Sequence, residues 1–429
     1  MEQVLAHVRT PLYRNAYALI VSDITTSALG LVYWMLAAHY YPAHQVGLNS
    51  TALSLMMLLS GIAQLNLMGA LTRFIPVAGR TTSHLVSYAY LSSLLAAAII
   101  SLSFIYSLQT WFRPEDQLLT TGVAQLWFAL ATMLWSIFAL QDNVLTGLRQ
   151  TLWVPLENMI FGVVKIGLLI LFVDWFGQLG IFVSWTLPVV VAVILINLLI
   201  FRRLIPQHVI TTEAQSEPLV PLHIATFVAG DYLGAIFVKL STALLPALVL
   251  HQLGASAAAY FYIAWTIAYS LQLIVMNLAA SLTVEAAANQ AQLSTYGRQM
   301  LRQMARLLVP LVVVTMFGAP YVLRVFGADY TAGTALLRLL ALAALPYCFT
   351  ALYISLARVR CQVGRIIVVQ AALCALVLGL SMWWLQQYGI TAIGMAWLIA
   401  QTLVAATLLA SSLRSGLGLS IRKPARRHW

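Results

Sequence analysis

Charge is what this sequence has least of: 8% of its 429 residues are Asp, Glu, Lys or Arg, and only 12 are acidic. A soluble domain carries about 25% charged residues, so a soluble enzyme, a disordered chain and a secreted scaffold are excluded. Cysteine is equally scarce. Cys348, Cys361 and Cys374 have neither paired nor CxxC spacing, which argues against a disulfide framework or a metal site. No P-loop, HExxH or GxSxG pattern is present, so bound ATP has no site and a catalytic role is not expected. A cleavable leader is not expected either. The opening MEQVLAHVRTPLYR is polar, and the apolar run after it exceeds ~20 residues with no A-x-A end.

What fills the space is apolar: 62% of residues are AVILMFWYC, and mean hydropathy is +0.89. At ~20 residues per membrane-spanning helix, that content suffices for roughly a dozen spans. The runs fall near 15–38, 46–70, 85–109, 118–140, 151–173, 179–201, 224–249, 256–282, 304–323, 333–356, 363–385 and 390–413. They lack the alternation of barrel strands, and lipid offers the backbone no hydrogen-bond partner, so each is read as a helix. The fold expected is an all-α polytopic membrane protein of twelve spans.

The formal charge of +11 is a matter of placement rather than a sign of nucleic-acid binding. Of 23 Lys and Arg residues, 18 fall on the side that carries both termini, 2 on the other, and 3 within spans. By the positive-inside rule both termini are cytoplasmic. The longest connections, 202–223 with its three prolines and the Gln/Ala-rich 284–303, lie on that same side. The first reads as a hinge between a six-helix lobe at 1–210 and another at 211–429. Self-comparison supports two repeats: Gly177 and Trp185 recur as Gly389 and Trp397 at an offset of 212. Arg149 finds Arg360 at 211, and Asp23 finds Asp231 at 208. Six spans per repeat is an even number, giving two pseudo-symmetric lobes related by an axis along the membrane normal, an arrangement found in transporters.

Charges within spans are expensive, at least ~2.5–3.5 kcal/mol near the bilayer centre, and normally face a protein interior or a wet cavity. The candidates are Asp23, Glu157, Lys165, Asp231, Lys239 and Arg338. Glu157 to Lys165 and Asp231 to Lys239 are each eight residues apart, ~12 Å along the helix. Neither pair closes within its own helix. One reading is a cavity in which Lys165, Lys239 and Arg338 receive an anionic group while Asp23, Asp231 and Glu157 carry a coupling ion. The other is interhelical ion pairs, such as Asp23 with Lys239, that only fix packing. Pro188, Pro246, Pro310 and Pro346 are expected to kink spans, and stretches such as AGDYLGA (229–235) to let helices approach. Tryptophan and tyrosine read first as interface belts, with Trp34 or Tyr262 able to stack on a sugar ring.

Over residues 13–80 the chain resembles bacterial polysaccharide and O-antigen flippases of the multidrug/oligosaccharidyl-lipid/polysaccharide superfamily. The features are Arg14 and Asn15 before span 1, Gly47 opening span 2, and the exit Gly69…Arg73, Phe74, Ile75, Pro76. The run from Glu285 to Arg306 is similar to the family's stretch before span 9. The resemblance implies a monomeric plasma-membrane transporter of MATE/flippase-like fold with no cofactor. It further implies a lipid-linked saccharide substrate whose diphosphate meets basic cavity residues, here Lys165 and Lys239, and coupling to a proton or sodium gradient. An ion-coupled multidrug exporter of the same superfamily is the alternative; mid-depth lysines count against it. A major-facilitator transporter is disfavoured because GALTRFIPVAGR lacks an acidic residue between glycines, and a membrane-embedded polymerase because the outer loops are short.

Overall fold

A computed structural model describes the backbone of residues 11–111, 118–212, 221–288, 293–360 and 362–414. Among the described residues there is no strand. The first part of the chain forms α1 (Pro11–Tyr40), α2 (Ala43–Ala63), α3 (Leu67–Phe74), α4 (Thr82–Trp111), α5 (Gly122–Gly147), α6 (Trp153–Leu171), α7 (Gly180–Leu199) and α8 (Ile205–Thr212). The second forms α9 (Pro221–Ala243), α10 (Leu245–Leu253), α11 (Ala255–Ala288), α12 (Leu293–Arg324), α13 (Thr334–Val359), α14 (Val363–Tyr388) and α15 (Thr391–Arg414). Eleven helical stretches among the described residues are long and apolar enough to cross a membrane. With the 30-residue α1, each of the twelve expected spans has a helical counterpart. Pro246 sits in the first turn of α10 and divides the seventh span into α9 and α10, as its missing N–H requires.

Compactness divides the chain into residues 1–262 and 263–429, later than the hinge at 202–223, because α9 and α10 pack on α2 and α3. In the first unit α2 is central and buried nearly all round. Asn49 ties it to the start of α7: its Nδ2 donates to the Gln178 carbonyl at 2.7 Å and its Oδ1 accepts from the Phe182 amide at 2.9 Å. Gly47 is required where α2 meets α11, since a Cβ there would overlap the Ala255 carbonyl. α4 is peripheral and turns Leu91, Leu95, Ile99 and Leu102 outward, a face suited to hydrocarbon. In the second unit Val275, Met304, Leu308, Ala341 and Ala344 form the core, and Ser355 Oγ donates to the Ala279 carbonyl at 2.9 Å.

The internal repeat reaches the backbone. After α5, the amides of Leu148, Gln150 and Trp153 donate to the carbonyls of Val144, Leu145 and Gln150. After α13, those of Arg360, Gln362 and Arg365 donate to Leu356, Ala357 and Gln362, every donor and acceptor displaced by 212 residues. Gly177 and Gly389, also 212 apart, both adopt positive φ (48° and 57°) before the next helix starts. These left-handed positions suit a residue without Cβ.

Candidate functional site

The buried residues of α6 are Val154, Glu157, Phe161, Gly162, Lys165 and Leu169, a stripe at helical spacing. Leu156, Met159, Ile160, Val163 and Val164 point the other way and are exposed. Gly162 lets α1 approach, because a Cβ there would meet Leu29 Cδ1 at 2.6 Å. That approach brings Tyr33 and Trp34 over the stripe.

Lys165 is 2% exposed and enclosed by rings. Its Nζ lies 3.6 Å from the centroid of Trp185, 4.9 Å from Phe161 and 5.2 Å from Tyr33. The rings are held in place. The Tyr33 hydroxyl donates to the Ile181 carbonyl at 2.9 Å and lies 2.8 Å from Ser184 Oγ. Trp185 packs edge-on against Tyr33 at 5.0 Å and tilted against Trp34 at 5.9 Å, and Trp34 meets Tyr262 at 4.6 Å. Lys165 has no carboxylate partner among the described residues. The buried Trp185 Nε1–H is likewise without an acceptor among them. Lys165 and Trp185 thus place two N–H donors without a hydrogen-bond acceptor among the described residues beside several aromatic faces, groups whose chemistry suits an anion and ring-shaped neighbours.

The second repeat provides an internal control. The buried stripe of α14 is Ile366, Val369, Leu373, Cys374, Val377, Ser381 and Leu385. At the 212-residue offset Val369 stands where Glu157 does, and Val377 where Lys165 does. The same helix face thus packs without charge, so packing alone does not call for Glu157 or Lys165.

Lys239, half-buried on α9, lies against Gly61 of α2, where an added Cβ would meet its Nζ at 2.5 Å. It has no carboxylate partner among the described residues. Here the expected second span is interrupted: α2 stops at Ala63, Leu65 and Asn66 take positive φ (49° and 57°), and α3 begins at Leu67. Tyr232 of α9 donates to the Ile62 carbonyl at 2.8 Å, satisfying backbone that the break exposes. A small recess of about 30 Å³ at the break is lined by Gly61, Gln64, Asn66, Tyr232 and Lys239, among others. Irregular backbone within a span is tolerated where it lines a cavity or is covered by protein. The sequence reading treated this span as continuous; the one local signal was Asn66, a residue that accepts left-handed φ.

The other candidates separate. Glu157 is 5% exposed and lies within electrostatic reach of Asp142 on α5. Sequence reasoning missed Asp142 because the fourth span was ended at 140, whereas α5 continues to Gly147. Arg338, in the second unit, donates through Nε to the Met316 carbonyl of α12 at 2.8 Å, which joins α12 to α13. Asp23 and Asp231 lie in α1 and α9, but their side chains fall outside the described residues. No group of His, Cys, Asp and Glu able to hold a metal occurs among the described residues.

No family model matches the sequence, and no curated protein does. Solved structures do. The chain is similar to a multidrug resistance MATE family transporter of the MOP superfamily in its inward-facing conformation, at TM-score 0.70 and 15% identity over 94% of this chain and 99% of that one. The outward-facing conformation of such a transporter matches at 0.68, with 15% identity over 96% of each chain. A MOP superfamily transporter from Pyrococcus furiosus, described by the reverse polarity of its binding pocket and a suggested different function, matches at 0.68 and 14% identity over 96% of each chain. The chain has the fold of MATE transporters of the MOP superfamily.

Proposed function

We propose that this chain is a transporter that moves a lipid-linked saccharide, carried on an anionic phosphate group, from the cytoplasmic to the outer leaflet of the plasma membrane by alternating access. One observation carries the reading: Lys165, buried among aromatic rings without a carboxylate, at a position where the other repeat has valine. An ammonium kept in a membrane interior is costly, and its retention marks a substrate or ion path. Phosphate answers the positive charge, and sugar rings stack on Trp185, Trp34 and Tyr33. Both termini are cytoplasmic in this reading, the protein acts as a monomer, and it has no catalytic role. The neighbour from Pyrococcus furiosus supports it, since a reversed pocket polarity with a different function is what its description reports.

A second reading, export of multiple drugs, is favoured by the neighbours described as multidrug MATE transporters. Fold does not set substrate, and a cation fixed among the aromatic rings opposes lipophilic cationic drugs. The test is deletion of the gene in its host, with complementation by wild type or Lys165→Met. Loss of surface glycan with accumulation of lipid-linked precursor, restored by wild type and not by the variant, is expected. Unchanged glycan together with new sensitivity to drugs would overturn the flippase reading in favour of the exporter.

A further inference from the structure

Rings alone hold the Lys165 ammonium. The centroids of Trp185, Phe161 and Tyr33 lie 3.6, 4.9 and 5.2 Å from its Nζ, all inside the ~6 Å over which a ring attracts a cation. A lysine ammonium also has N–H donors to satisfy, yet among the described residues no hydrogen bond or carboxylate meets it. At 2% exposure bulk water does not meet it either. The enclosure thus answers the charge of an ammonium and none of its N–H groups. That chemistry fits an alkylated ammonium best, which offers charge and has no N–H to satisfy.

The walls do not need the lysine to keep their places. The Tyr33 hydroxyl is spent on the Ile181 carbonyl at 2.9 Å. Phe161 packs on Phe138 and Trp135, with centroids at 5.2 and 6.1 Å. Trp185 packs on Trp34 and Trp135, at 5.9 and 6.4 Å. Each wall is therefore fixed by contacts in which the ammonium takes no part.

The other repeat keeps the tryptophan and drops the rest. At the 212-residue offset Trp397 answers Trp185 and is buried, its ring edge-on to Trp265 at 4.8 Å. Leu373 stands where Phe161 does and Val377 where Lys165 does, both buried. The lysine and the second ring are absent together, so the lysine goes with the ring enclosure and not with the packing of the tryptophan.

We propose that Tyr33, Phe161 and Trp185 form a binding site for a small alkylated ammonium, which Lys165 fills from within the chain and so closes to cationic solutes. Lys165 is then the residue that sets selectivity, by occupying the site as well as by its charge. An attached group has little translational freedom left to lose, so it outcompetes a free cation for the same ring faces. The assignment deepens the reading of Lys165 given above and rests on it for its part in transport, but the binding site stands without it.

Tetramethylammonium is about the size of the Cγ-to-Nζ part that Lys165→Ala removes, and its binding is measured without saccharide or transport. Saturation-transfer NMR of its methyl protons, with the purified full chain in maltoside micelles at constant ionic strength, gives the affinity. Lys165→Ala is expected to bind it saturably and at least about tenfold more tightly than wild type. Lys165→Met, whose side chain still fills the site, should bind no better than wild type. Adding Trp185→Leu to Lys165→Ala should weaken binding by about thirtyfold, the loss of one desolvated cation–ring contact. Melting temperature checks folding, and Lys165→Val, the residue of the other repeat, takes the place of Lys165→Ala if that variant unfolds. Equal affinity in wild type and Lys165→Ala, no binding by folded Lys165→Ala, or binding undiminished by Trp185→Leu overturns the proposal. Binding by Lys165→Met as tight as by Lys165→Ala overturns it in favour of exclusion by charge alone. Failure of the flippase reading appears in glycan display and leaves these affinities as they are.

Discussion

Replacing Lys165 with methionine separates a functional lysine from a structural one, because the two roles predict opposite signs of stability change. The side chain keeps its length and apolar stem but loses the ammonium held 3.6 Å from the Trp185 ring centroid. The lost cation–π attraction is about 2 kcal/mol for a desolvated site. Against it stands the desolvation of an ion with no carboxylate partner, several kcal/mol even after relaxation. The difference favours the variant, so Lys165→Met should unfold with equal or greater stability, by on the order of 1–3 kcal/mol, while transport falls to background. Thermal unfolding in detergent, followed by tryptophan fluorescence, measures this, and Trp185 emission should change as the charge leaves its ring. A variant destabilised by more than about 2 kcal/mol, the magnitude of the lost ring contacts, would show that the lysine holds α6 to its neighbours and would refute the reasoning.

Three further outcomes follow from particular contacts. Arg338→Met leaves the Met316 carbonyl without its guanidinium donor and should lower stability by about 1.5–3 kcal/mol, with transport per folded molecule retained; melting and glycan display together check this. Gly47→Ala should abolish accumulation of folded protein, since its Cβ overlaps the Ala255 carbonyl. By contrast Gly379→Ala, with open space around it, should raise stability by about 0.5–1 kcal/mol in the same melting assay. Tyr232→Phe removes one of the two donors to the Ile62 carbonyl at the break between α2 and α3, leaving the Leu65 amide, and should cost about 1 kcal/mol, seen as faster hydrogen exchange at residues 62–67.

The spans were legible because hydropathy answers to a single constraint, the absence of water to satisfy backbone groups in lipid. The repeat was legible from Gly177, Trp185, Gly389 and Trp397, and the same offset governs backbone bonds that no residue identity announces. Ends were less so: two turns of α5 lay beyond the apolar run, and Asp142 was lost with them. The break after Ala63 was hidden because apolar residues continue through it. Lys165 and Arg338 looked alike as isolated charges, yet one is enclosed by rings and the other bonded to a neighbouring helix.

Composition and periodicity by themselves determined that this is a polytopic all-helical membrane protein with an internally repeated plan, since local backbone satisfaction and lipid solvation need no knowledge of neighbours. Which buried charges are partnered and which rings surround Lys165 were decided only in the tertiary structure. Those contacts join residues up to about 150 positions apart, as Tyr33 with Trp185 does. Their energies depend on the distance and burial of both members, and a one-dimensional pattern carries neither.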